Sequence, residues 1–87
     1  MLRKLYRTPR DIKASILLIL TEHVNVTRTT IYHEVKLSWD LTVKYSKMMV
    51  KEGLIKELST DSKRYVITSK GKKWLKAFQK LQLIEGK

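Results

Sequence analysis

Cysteine is absent from this 87-residue sequence, so no disulfide, thiolate metal site or cysteine nucleophile can form. Only three glycines are present, and because they are isolated the glycine-rich loop that cradles a phosphate is missing. The longest uninterrupted apolar run, residues 16–20, is far too short to cross a bilayer. A proline and charged residues interrupt the N-terminal region, so no signal peptide is indicated. We therefore expect a soluble cytoplasmic protein without a membrane partner.

Residues that could support catalysis or metal binding are few and dispersed. The two histidines, His23 and His33, have no cysteine to join them, and no second histidine follows His33 at the spacing of a metalloprotease helix. The eight acidic residues are scattered among lysines, so no carboxylate pair for acid–base catalysis is indicated. Serine and histidine form no recognisable nucleophile motif. We therefore predict no enzyme, no cofactor and no metal site.

Positive charge is what the sequence has in excess. Nineteen Lys and Arg residues against eight acidic residues give a net charge of +11 at pH 7. A domain this small with such an excess attracts polyanions, of which nucleic acid is the first candidate and an anionic membrane surface the second. The lysines could alternatively serve only solubility, and the composition would also suit a thermophilic protein. With 43% apolar residues the core is small, so self-association would add useful burial.

The stretch from Leu37 to Gly53 predicts one helix whose two ends are both marked in the sequence. Ser38 can accept a hydrogen bond from a first-turn backbone N–H, and Asp40 places negative charge near the positive end of the helix dipole. Gly53 can adopt the left-handed conformation that ends a helix. We expect the rest of the chain to be organised around this helix.

The two faces of this helix differ in composition when it is drawn at about 100° per residue. Leu41, Tyr45 and Met48 share one narrow stripe, which predicts that this side faces the core. The opposite face is predicted to carry Trp39, Val43, Ser46 and Lys47, with Asp40 and Thr42 at its edges. Such side chains can contact thymine methyls, base edges and phosphates. The alternative is that this second face packs under another element.

Two helices are predicted before this one. Thr8, Pro9 and Asp11 form a capping box with proline at the first helical position, which predicts a helix over Pro9–Glu22. Residues 24–26 alternate and are rich in valine, so they indicate a brief strand or an extended link. Thr27 can cap a second helix over about 28–36, and a helix-turn-helix arrangement follows.

Beyond Gly53 the pattern changes from helical to alternating. Residues 54–58 and 64–68 predict two strands of a hairpin, and the polar stretch 59–63 predicts its turn. Thr68 or Ser69 can cap a last helix over about 70–84. That helix carries an apolar stripe of Trp74, Phe78 and Leu81, which we expect to be buried partly against a second copy of the chain.

The sequence from Thr27 onward, about two-thirds of the chain, resembles the small archaeal winged-helix DNA-binding proteins and transcriptional regulators. The resemblance rests on Lys36-Leu37-Ser38-Trp39-Asp40, Tyr45, Gly53-Leu54-Ile55, Tyr65-Val66-Ile67-Thr68 and Gly71. It implies an α+β, mainly α, winged helix-turn-helix with a three-helix core, a two- to three-stranded wing and a C-terminal helix. In that family the third helix enters the major groove, the wing lies beside the minor groove, and the last helix dimerises.

We therefore expect 1–87 to form a single winged-helix domain: a basic arm over 1–7, the helix-turn-helix over 27–53, the wing over 54–68 and the C-terminal helix over 69–85. The expected function is sequence-specific binding of double-stranded DNA by a homodimeric transcriptional regulator. The alternatives are a protein-interaction module on the same fold and a nonspecific chromatin-type DNA-binding protein.

Three groups of candidate site residues follow. The recognition helix supplies Ser38, Trp39, Thr42, Val43, Ser46 and Lys47. Candidate phosphate contacts are Arg28, Thr29, Lys44, Lys51, Lys63 and Arg64. Candidate dimerisation residues are Leu2, Leu5, Trp74, Phe78 and Leu81.

Overall fold

The computed structural model describes residues 8–59 and 63–85. These ranges contain four helices and three strands: α1 Pro9–Glu22, β1 Val26–Thr27, α2 Arg28–Val35, α3 Trp39–Lys51, β2 Ile55–Ser59, β3 Arg64–Ile67 and α4 Ser69–Glu85. The order and the mainly helical α+β class confirm the predicted fold class. The predicted basic arm over 1–7, with Leu2 and Leu5, lies outside the described residues.

Side-chain caps fix where the first three helices begin. Thr8 and Asp11 bond each other's backbone N–H groups, which completes the predicted capping box. Thr27 and Ser38 each accept from the backbone N–H three residues on, at 3.2 Å. Each bond satisfies an N–H that has no partner inside its helix. The three predicted helix starts are confirmed. They could be predicted from sequence because capping depends only on neighbouring residues.

The turn between α2 and α3 is short and sharp. α2 ends at Val35, one residue before the predicted end, and Lys36 caps it in the left-handed conformation with φ 59°. Leu37 is buried and anchors the turn to the core. At its far end α3 is followed by Gly53, whose φ of 80° is the predicted left-handed termination. The start and the end of α3 are therefore both held in place.

The sheet is antiparallel in the order β1-β3-β2, so the hairpin of β2 and β3 gains a third, two-residue strand. Ile55 pairs with Ile67, and Glu57 pairs with Tyr65. The register then shifts, so that Ser59 rather than Leu58 opposes Arg64. This bulge leaves Leu58 exposed and bends the edge strand.

The core lies where α1 meets the other elements. Ile16 and Leu17 of α1 are fully buried, whereas Ile19 is only partly buried and Leu18 is exposed. The remaining core side chains come from every other element and include Val26, Ile31, Tyr45, Met49, Ile55, Tyr65 and Leu75. The core is therefore built around the face of α1 that carries Ile16 and Leu17.

The start of α4 is locked against the turn that follows α3. The Thr68 hydroxyl accepts from the Gly71 N–H at 3.0 Å and donates toward the carbonyl of Gly53. A Cβ on Gly71 would lie 2.1 Å from the carbonyl oxygen of Leu54, a separation that atoms cannot adopt. Gly71 thus lets the first turn of α4 approach the backbone closely. Among the described residues, no helix is long and apolar enough to span a bilayer.

Candidate nucleic-acid interface

The exposed face of α3 is a row of lysines. Lys44, Lys47 and Lys51 are all exposed and follow one another at spacings of three and four residues. Residues at these spacings lie on one face of a helix. None of the three forms an ion pair with another described residue, so their charge is available to an external anion.

The orientation of α3 differs from the predicted one by roughly 80° about its axis, at about 100° per residue. Thr42 and Ser46 are both 0% exposed, so the prediction that they lie on the accessible face is wrong. Leu41 was predicted to face the core and is 37% exposed. The buried stripe is instead Thr42, Tyr45, Ser46 and Met49.

Close helix packing accounts for this rotation. Threonine and serine are small, so they allow the backbone of α3 to approach the core more closely than leucine would. The Thr42 hydroxyl donates to the carbonyl of Ser38 at 2.9 Å, which satisfies one buried polar group within the helix. The Ser46 hydroxyl has no hydrogen-bond partner within the described structure. Neither side chain can contact DNA from its observed position.

Four of the predicted recognition residues remain at least partly exposed: Ser38, Trp39, Val43 and Lys47. Trp39 is 46% exposed, with its ring edge-to-face against Tyr32 of α2 at 5.4 Å between centroids. Val43 is half-buried beside it along the helix. Packing against α2 therefore covers part of this face, as the alternative interpretation held, and leaves part of the Trp39 indole accessible.

The N-terminus of α2 meets the wing. The Arg28 N–H donates to the carbonyl of Lys63 at 3.0 Å. The Arg28 guanidinium lies over the Tyr65 ring at 5.9 Å, and its Nε is buried without a hydrogen-bond partner among the described residues. Thr29 is exposed at the helix start. A helix N-terminus with an arginine and an exposed hydroxyl can bind phosphate.

The two wing cations differ in availability. Lys63 forms an ion pair with Glu57 at 3.0 Å across the hairpin, which reduces its net charge toward an external anion. Arg64 is exposed and forms no ion pair within the described ranges. Lys56 is a further exposed wing cation that the sequence reasoning missed, although its place next to buried Ile55 in an alternating strand was a usable signal.

The predicted dimerisation residues divide by exposure. Trp74 and Phe78 stack with centroids 5.6 Å apart and are partly buried against the core of their own chain. Leu81 is 42% exposed further along α4. An open groove of about 210 Å³ between α1 and α4 is lined in part by exposed Leu18 and by Phe78. Leu2 and Leu5 lie outside the described residues.

Comparison with known proteins supports the same architecture. The family model described as winged helix-turn-helix matches residues 6–86. The DNA-binding protein Sso10a-2 from Sulfolobus solfataricus is similar in structure, with a TM-score of 0.80 and 25% identity over 92% of this chain and 83% of that one. No curated protein sequence matches significantly.

Two transcription regulators are similar in fold at lower identity. MepR, which regulates the Staphylococcus aureus multidrug efflux pump MepA, has a TM-score of 0.72 and 18% identity over 92% of this chain and 61% of its own. MosR from M. tuberculosis has a TM-score of 0.60 and 15% identity over 98% and 68%. At these identities the likeness concerns the fold alone.

Proposed function

This chain belongs to the winged helix-turn-helix family, and on that premise we propose that it is a sequence-specific double-stranded DNA-binding protein that regulates transcription. The family consists of DNA-binding regulators rather than enzymes, which confirms the prediction that the chain is not an enzyme. Binding to the chromosome would place the protein in the cytoplasm, with the nucleoid.

The row of Lys44, Lys47 and Lys51 on the outward face of α3 is the observation that carries this proposal. In helix-turn-helix domains the second helix of the motif lies in the major groove. Three unpaired lysines on that helix would meet the phosphates that border the groove. The wing would then lie on the backbone or the minor groove, with Arg64 as its free cation.

The proposed roles follow from accessibility. Lys47, Val43 and Trp39 are the candidates for base contact, because they lie on or beside the exposed face of α3. Candidates for phosphate contact are Arg28, Thr29, Lys44, Lys51, Lys63 and Arg64. Ser38 serves as the cap of α3, and the two buried hydroxyl residues, Thr42 and Ser46, are withdrawn from the set.

Nonspecific binding to DNA is the second candidate function. The burial of Thr42 and Ser46 removes two groups that could have bonded to base edges. The remaining face is dominated by lysines, which bind phosphates without reading sequence. Selection of binding sites from a random duplex pool at two salt concentrations separates the two candidates. An enriched motif supports a specific regulator, and the absence of enrichment at both concentrations supports nonspecific binding.

Base readout by Val43 can be tested against buried Ser46. Replacing Val43 with serine should change the specific-to-nonspecific affinity ratio by about 1 kcal/mol, because a thymine-methyl contact is lost. Replacing Ser46 with alanine should leave that ratio unchanged, because its side chain is covered. Filter binding with cognate and scrambled duplexes gives both ratios, and thermal unfolding checks each variant. A lower melting temperature with an unchanged ratio for Val43→Ser would show that Val43 serves packing.

We also propose a homodimer through α4. Leu81 is exposed next to the partly buried ring pair of Trp74 and Phe78, so apolar surface continues beyond the core of one chain. Replacing Leu81 with serine should shift a dimer toward monomer without lowering the melting temperature of the fold by more than a few degrees, as expected for an exposed site. Sedimentation velocity measures the shift. A wild-type protein that is monomeric at about 50 μM would contradict the dimer.

A further inference from the structure

A second row of lysines lies on α4. Lys72, Lys73, Lys76 and Lys80 are all exposed, and their spacing places them within one side of the helix. None forms an ion pair with another described residue. We call these four residues the α4 lysine stripe. It carries as many positive charges as the exposed face of α3 and the free wing arginine together.

The α4 lysine stripe faces away from the core. On the opposite side of α4, Leu75 is buried and Trp74 and Phe78 are packed against the core. α4 packs on α1 and β3, whereas α3 packs on α2 and β2. The start of α4 reaches the residue that follows α3, where the Lys70 ammonium donates to the carbonyl of Glu52 at 2.8 Å. The two lysine faces therefore belong to helices that cover different parts of the core.

The α4 lysine stripe works against the stability of its own helix. Lys72, Lys76 and Lys80 are successive neighbours four residues apart, and each like-charged pair at this spacing costs roughly 0.2–0.5 kcal/mol. Lys72 and Lys73 also lie near the positive end of the helix dipole, where acidic residues would be favourable and the first turn has none. A surface that served solubility alone could alternate charges of both signs. The one-sided pattern suits binding to an anion.

We propose that the α4 lysine stripe binds the sugar–phosphate backbone of a second DNA duplex, so that one molecule bridges two duplexes. This inference rests on the proposed function, because α3 must hold the first duplex. A lattice of phosphates suits the stripe, since three lysines at four-residue spacing extend along about 12 Å of helix. An anionic membrane is less suitable, because an interfacial helix needs a long free apolar face. Leu75, Trp74 and Phe78 of α4 are packed on the core, and its exposed leucines, Leu81 and Leu83, lie toward its end.

A bead-capture assay tests the proposal with two matched variants. One duplex is immobilised, the protein is added, and capture of a second, fluorescent duplex measures bridging. The first, the α4 variant, has glutamine in place of Lys72, Lys76 and Lys80. The second, the α3 variant, has glutamine in place of Lys44, Lys47 and Lys51. Each variant loses three charges, so the net charge falls from +11 to +8 in both (11 − 3 = 8). Single-duplex affinity is measured in parallel with the fluorescent duplex alone.

The α4 variant should lose about tenfold or more in bridging while its single-duplex affinity stays within about threefold, because avidity needs both sites. The α3 variant should lose both. Unchanged bridging in the α4 variant would overturn the proposal and leave any bridging to the two α3 helices of a dimer. An equal loss of single-duplex affinity in both variants would also overturn it, since the lysines would then form one surface. Stripe-dependent binding to anionic phosphatidylglycerol vesicles, with bridging unchanged, would assign the stripe to membranes instead.

If the wild-type protein binds no duplex at all, the proposed function fails and the inference fails with it. That result is distinct from tight single-duplex binding without bridging, which removes the inference alone. Thermal unfolding is measured for both variants. The α4 variant should melt at a slightly higher temperature than the wild type, because like-charge repulsion along α4 is relieved.

Discussion

Replacing Gly71 with alanine is expected to lower the free energy of unfolding by about 3 kcal/mol, at the upper end of ordinary overpacking. The added Cβ would lie 2.1 Å from the carbonyl oxygen of Leu54 and 2.9 Å from a side-chain carbon of Ile67. A backbone carbonyl cannot rotate aside as a flexible side chain can, so the first turn of α4 must move. That movement would also break the bond from the Gly71 N–H to the Thr68 hydroxyl. Thermal unfolding should show a decrease of roughly 15–20 °C in the melting temperature.

Gly53→Ala is the matched control, because it adds the same methyl group where there is space. Its nearest neighbours are Lys70 side-chain atoms at 3.7 and 3.9 Å, so the cost comes only from a φ of 80°. A left-handed alanine costs about 1 kcal/mol, or roughly 5 °C here. Both variants lose the same freedom in the unfolded chain, so that effect cancels in the comparison. Equal losses in the two variants would contradict the close-approach explanation.

Replacing Lys44, Lys47 and Lys51 together with glutamine is expected to reduce duplex affinity by roughly two to three orders of magnitude at about 0.1 M salt. Each phosphate contact contributes about −0.9 to the slope of log affinity against log salt. Three lost contacts therefore flatten the slope by roughly 2.7. If variant and wild type bind equally at about 1 M salt, the affinity of the variant at about 0.1 M salt is then lower by about 2.7 orders of magnitude. The expected slope for wild type is roughly −4 to −5, from about five contacts per protomer.

Fluorescence anisotropy titrations from about 50 to 400 mM salt measure both slope and affinity. The variant with Lys72, Lys76 and Lys80 replaced is the control for net charge, since it also carries +8 (11 − 3). If overall charge alone governed binding, the two variants would behave alike. A steep wild-type slope that survives in the α3 variant would remove α3 from the interface and assign the contacts to the wing or to α2.

The sequence by itself determined the order of elements and most of their boundaries. Thr8, Thr27 and Ser38 mark helix starts through bonds to residues three positions away, and Gly53 marks an end through its own backbone conformation. These signals are local, so they can be found without knowing what packs where. The winged-helix architecture followed from that order and from the resemblance of the chain from Thr27 onward.

The availability of each charge was decided by tertiary contacts. Lys63 and Arg64 are adjacent in sequence and look alike there, yet Lys63 is paired with Glu57 across the hairpin and Arg64 is not. The bulge in β2 sets how residues on the two strands oppose each other, and a bulge is not visible in a pattern of hydrophobic and polar residues. The reason for Gly71 was equally hidden, because its close neighbour Leu54 lies 17 positions earlier (71 − 54).

The orientation of α3 shows most clearly what sequence periodicity could not determine. Hydrophobicity alone assigns Leu41 to the core and Ser46 to solvent, whereas the fold buries Ser46 fully and leaves Leu41 exposed. The outcome depends on how closely α3 can approach its neighbours, and small side chains permit the closest approach. Tyr45 is buried in either orientation, so this residue alone could not fix the angle. The sequence therefore determined that α3 exists and where it begins and ends, and packing decided which of its side chains can meet a partner.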